Sequence, residues 1–148
     1  MHPALRIGVA VVALGSFQAL SDSAHPSPPD LDCSIGFEGL HQWTEWLPGA
    51  ERGNGASGNT ITVNAPDAWR VEITFTERGQ PAHPAVVLRK FLKQVTGVWT
   101  AQSKVCGYGD KAQFAAFMAD VKTEDTRLTN ASRAEVERQK REASPLAR

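Results

Sequence analysis

Trp69, Val71, Ile73 and Phe75 alternate without a break with Arg70, Glu72, Thr74 and Thr76. A period of two places four large apolar side chains on one face of a β-strand and polar ones on the other. No other stretch restricts the fold as tightly, because that apolar face has to be covered. Just upstream, Ile61, Val63 and Ala65 alternate with Thr60, Thr62 and Asn64, and Pro66-Asp67 supplies a turn. The spacing predicts an antiparallel hairpin with one dry and one wet face. A hairpin is not stable alone in water, so helices or further strands must complete the core.

Two candidates flank it. Upstream, Phe37, Leu40, Trp43 and Leu47 recur at helical spacing, with Ser34 as the expected cap and Pro48-Gly49 as the stop. Downstream, Asp110 and Gln113 have capping-box spacing and open a helix whose stripe is Phe114, Phe117, Met118, Val121 and Leu128. That stripe is expected on the apolar face of the sheet. Residues 84–95 fit either a helix or a third strand, and the strand is preferred because residues 98–105 read as its partner, with Trp99, Ala101 and Val105 on one face. The glycine-rich residues 48–59 read as loop. Beyond Asn130 the apolar pattern fades, and Ser132 and Glu135 have the spacing to cap a further stretch. Residues 131–148 are expected to be a charged tail, helical or disordered.

The fold class that follows is α+β. One small domain, residues 31–130, holds an antiparallel sheet of three to four strands, a short N-terminal helix and a C-terminal helix across the sheet. Cys33 and Cys106 are the only cysteines. In an oxidising compartment they are expected to form one disulfide.

That compartment is indicated by the N-terminus. Arg6, an apolar run over residues 7–20 and the small residues Ser21, Ser23 and Ala24 have the order of a secretory signal peptide, assigned to residues 1–23. Residues 24–30, with Pro26, Pro28 and Pro29, read as a stiff spacer. Cys33 lies well past the apolar run and follows Asp32, which argues against a lipobox. The expected location is periplasmic or secreted, with no stable membrane insertion after cleavage.

Without residues 1–23 the chain keeps 15 of its 16 basic and 15 of its 16 acidic residues. That balance speaks against nucleic acid as a partner. The charges are nevertheless segregated: residues 30–67 carry six carboxylates against Arg52, and residues 77–104 carry five cations against Glu77. Either the two segments neutralise each other across the fold or they steer a charged partner.

The sequence contains few chemical motifs. Gly53-Asn54-Gly55-Ala56-Ser57-Gly58 matches a dinucleotide fingerprint in letters, but a strand should enter that turn and a helix leave it, and here the order is reversed. His25, His41 and His83 lack metal-ligand spacing, and His83 before Pro84 reads as a turn residue. No serine lies in a nucleophile elbow. No catalytic, cofactor or metal residue is therefore assigned, and no cofactor is expected. Asn130-Ala131-Ser132 is a formal glycosylation sequon.

The residues singled out for partner binding are Trp46, Tyr108, Arg89, Lys90 and Lys93. Trp46 follows Trp43 by three residues, so one ring is expected in the core and Trp46 at the rim. Tyr108, between two glycines, sits where a bend can present its ring. The leading expectation is a non-catalytic exported protein-binding module of inhibitor or immunity type with a partner in the cell envelope. The alternatives are a small secreted hydrolase with a dispersed site, or an envelope small-ligand-binding or structural protein.

Overall fold

In the computed structural model, residues 25–53 and 60–144 are described; the segment expected to be a signal peptide, most of the glycine motif and the last four residues lie outside them. The described residues begin with a segment outside helix and strand, 25–32, and a single 3₁₀ turn, Cys33–Ile35. There follow α1 (Gly36–Glu45), β1 (Glu51–Gly53), β2 (Thr60–Ala65), β3 (Trp69–Phe75), β4 (Ala85–Lys93), β5 (Trp99–Gly107) and α2 (Lys111–Ala143). The five strands form an antiparallel meander in sequence order. The architecture is the expected α+β, with one strand more than the sequence indicated. That strand, β1, pairs with Thr60–Thr62 through its backbone while all three of its residues stay exposed. A strand without a buried face has no apolar period, and so it read as loop.

Register defines the two faces. Trp69, Val71, Ile73 and Phe75 pair with Leu92, Lys90, Leu88 and Val86, and share their face with Ile61, Val63 and Ala65 of β2. This is the core face. Leu31 and the wholly buried Leu40 of α1 close over it, with Phe37, Trp43 and Leu47 packed at the margin. Burying one such leucine stabilises by about 2–3 kcal/mol. The cap of this region is Asp32 rather than Ser34: its carboxylate accepts from the Ser34 amide at 2.9 Å. The difference arises because a 3₁₀ turn precedes the α-helix and shifts the start upstream.

The second correction concerns α2, which covers the opposite face from the one expected. Its Phe114 lies directly on Gly107 of β5, where a Cβ would displace the ring, and Val121 is buried over the face that carries Val87, Phe91 and Ala101. β4 is therefore apolar on both sides, with Val86 and Leu88 toward α1 and Val87 and Phe91 toward α2. A strand buried on both faces shows a continuous apolar run instead of alternation, which is why residues 84–95 admitted a helix. Gly97, at φ 84°, makes the turn into β5.

The contact between α2 and β5 is partly polar. The β5 amides of Trp99 and Ala101 donate to Ser132 Oγ and Thr129 Oγ1, each at 2.9 Å. These N–H groups lie on the outer edge of the sheet, where unpaired backbone invites edge-to-edge aggregation, and the helix hydroxyls occupy these two. Ser132 is thus inside the helix rather than a cap, and α2 runs unbroken to Ala143. At about 1.5 Å per residue it is nearly 50 Å long and outruns β5. Its end is held by pairs one turn apart, such as Arg138–Glu135 and Lys140–Glu137.

The proline segment is also attached. Pro26 O accepts from the Trp69 indole at 2.7 Å, and Asp30 pairs with both Lys90 and Lys104 at 3.2 Å. Leu31 O accepts from Lys104, and Cys33 is then bonded to Cys106. The segment is a strap across the core face. For Asp30, burial would raise the carboxyl pKa, but hydrogen bonds from the two lysines outweigh it and hold the group below the usual carboxylate range. A depressed folded pKa gives stability that is present above the ordinary value and lost as pH falls through the lowered one. On acidification below about pH 4, unfolding titrations should show the wild type losing more stability than Asp30→Asn. Parallel acid limbs would remove Asp30 as the cause.

Candidate functional site

The five residues singled out from the sequence do not form one site. Trp46 ends α1 with 84% of its surface exposed. Trp43, one turn earlier, packs against the core. Glu38, Gln42, Glu45 and Trp46 are all exposed, and their spacing of three to four residues sets them in one stripe along the outer side of the helix. Tyr108 sits at the end of β5, its hydroxyl donating to Cys33 O at 2.9 Å. Burial, reinforced by the Asp32 carboxylate, raises its phenol pKa and keeps it protonated as that donor. Its hydroxyl is committed to holding the strap.

The three cations diverge. Arg89 points under α2, its Nε 2.7 Å from Asp125 Oδ1, and the same oxygen accepts from Ser103 Oγ at 2.7 Å. Lys90, on the core face, pairs with Asp30, and Lys93 pairs with Asp67 at 2.8 Å. Asp30 and Asp67 come from the acidic segment and Lys90, Lys93 and Lys104 from the basic one. Of the two ways to read the segregated charge, neutralisation across the fold is the one these contacts support. Glu38 and Glu45 keep no cationic partner among the described residues.

The histidines are placed by packing. His41 stacks on Phe75 with ring centres 3.7 Å apart, and Phe37 meets both rings edge-on. His83, in the β3–β4 connection, lies 3.0 Å through Nδ1 from Thr76 O. Among the described residues no three metal-ligating side chains converge. Asp110 accepts from the Gln113 amide at 2.8 Å, as a helix cap does. The sequon lies within α2, where Asn130 accepts from Arg133. Of the glycine motif, Gly53 ends β1 and the rest falls outside the described residues.

One concavity was not legible in the sequence. At the sheet end that carries the β2–β3 turn, a cleft of about 450 Å³ is lined by Asn64, Arg70, Phe91, Trp99, Leu128 and Ser132 among others. They come from four strands and from α2, which supplies both Leu128 and Ser132. The Arg70 guanidinium lies over the Phe91 ring at 4.4 Å, and its Nε is 3.2 Å from Glu72. The only signal in the sequence was Arg70 as the polar neighbour of Trp69, which marks a wet face and nothing more.

No helix among the described residues is long and apolar enough to cross a membrane. No protein-family model, curated protein or solved structure matches the chain.

Proposed function

We propose that the protein is exported and acts as a non-catalytic protein-binding module of inhibitor or immunity type, with the outer face of α1 as its contact surface. The observation that carries this reading is Trp46. An indole left 84% exposed at the end of a helix forgoes the stabilisation of burial, and tryptophan is among the residues that most often anchor protein interfaces. The helix that presents it is rigid, since Leu40 is wholly buried and the Cys33–Cys106 bond fixes the turn before it. Export is supported by the N-terminal leader pattern and is compatible with the disulfide.

The test compares mature wild-type protein and Trp46→Ala as baits in an envelope fraction, with the captured partner then purified and titrated. The expected result is a defined partner whose affinity falls at least tenfold in Trp46→Ala, while the variant's stability stays within about 0.5 kcal/mol of wild type. No partner of useful affinity, or equal binding by the variant, would sink the proposal. A second reading, small-ligand binding in the envelope, is favoured by the cleft.

A further inference from the structure

The cleft carries one guanidinium with hydrogen-bonding capacity left open. Arg70 uses Nε toward Glu72, so the edge formed by its two terminal nitrogens remains available, and the side chain is about half exposed at 48%. Ser132 Oγ accepts from the Trp99 amide. Its own proton has no acceptor among the described residues, unlike Thr123 and Thr126, whose hydroxyls donate back to the carbonyls of the preceding turn. Asn64, exposed at the rim, adds an amide. Of the nearby carboxylates, Asp67, also in the lining, pairs with Lys93, and Glu72 pairs with Arg70. The open donors are therefore the Arg70 fork and the Ser132 hydroxyl, and the nearby carboxylates are each paired with a cation of this chain.

The rest of the lining is apolar. Phe91, Trp99 and Leu128 supply apolar surface, and the volume of about 450 Å³ is within the range of small-molecule sites. A guanidinium with both terminal nitrogens free matches a carboxylate bidentately. Its place over the Phe91 ring and its pairing with Glu72 restrain it before any ligand arrives, which reduces the ordering cost of binding.

We infer that this cleft binds a small monocarboxylate with a single aryl or short branched alkyl body, its carboxylate on Arg70 and Ser132 and its apolar body against Trp99 and Leu128. The inference rests on the ligand-binding reading and is independent of Trp46, which belongs to α1 on the other face of the sheet.

The probes are 3-phenylpropionate and its neutral counterpart 3-phenylpropan-1-ol, titrated into the mature protein by calorimetry and by indole N–H chemical shifts. The acid should bind saturably and perturb the Trp99 indole, and the alcohol should bind at least tenfold more weakly. Arg70→Gln should weaken the acid at least tenfold and remove most of its advantage over the alcohol; Trp46→Ala should leave both unchanged. Absence of saturable binding by the acid, or equal affinity for acid and alcohol in the wild type, overturns the inference without recourse to any variant. Arg70→Lys, which keeps the charge and loses the fork, should fall between wild type and Arg70→Gln. An unchanged affinity there would refute bidentate recognition.

Discussion

Replacing both cysteines, Cys33→Ala with Cys106→Ala, is expected to lower the unfolding free energy by about 4 kcal/mol. The two residues are 73 apart in sequence. In the chain-entropy view, opening a loop of that length returns a large amount of freedom to the unfolded chain. The folded state loses as well, because Cys106 is 2% exposed within the core cluster. Cys33 is also the point from which the strap and α1 depart, and Tyr108 holds its carbonyl. For a domain of this size the loss corresponds to a fall in Tm of roughly 15 °C. Thermal unfolding of the oxidised wild type, the reduced wild type and the double variant measures it. A difference under about 1 kcal/mol between oxidised protein and double variant would show that the strap and α1 are held by packing alone.

The second large effect is at Asp125. Asp125→Ala leaves Arg89 charged beneath α2 with its partner gone, and Ser103 Oγ without its acceptor. The side chains of Arg89 and Asp125 are only 18% and 12% exposed. Breaking a buried pair by removing one member costs about 3–5 kcal/mol, and the residual solvent contact here places the expectation near 3. The paired substitution Arg89→Met with Asp125→Leu removes both charges and fills the space. It should return to within about 1 kcal/mol of wild type, since the desolvation cost is removed together with the attraction. Urea unfolding of Arg89→Met, Asp125→Leu and the double variant gives the coupling directly. Additive effects would mean that the pair does not act as a unit in holding α2 to the sheet.

These two expectations differ in how much of each was legible in the sequence. The cysteine pair was, because two thiols in a chain with an export-type leader leave a single intramolecular connectivity. The hairpin β2–β3 was legible for a local reason: a strand with one buried face writes that face into alternate positions. The same holds for the cap at Asp110 and for the solvated Trp46, whose placement follows from helical spacing beside Trp43. Asp125 was not legible. In sequence it is one charge among several on a polar helix, and Arg89 is one cation in a basic stretch. Their pairing depends on α2 lying over β4 and β5, and the apolar stripe beginning at Phe114 does not say which face of the sheet it meets. Phe91 and Val87 facing one way, with Leu88 and Val86 facing the other, left β4 without a period. Arg70 and Ser132 of the cleft are 62 positions apart in the numbering, and no local pattern links them.

Taken alone, the sequence determined the α+β class, the antiparallel hairpin, the disulfide and the start of the C-terminal helix. Each depends on periodicity, capping chemistry or a count of thiols, which act over a few residues or admit one answer. Only the tertiary structure decided that α1 and the strap cover the core face while α2 takes the other. It also decided that the segregated charges meet as Asp30–Lys90, Asp30–Lys104 and Asp67–Lys93, and that a cleft carrying Arg70 forms at one end of the sheet. Those outcomes depend on which surfaces meet once the chain has folded back on itself. Contact between distant residues is set by the packing of whole elements, and the spacing within any one element does not record it.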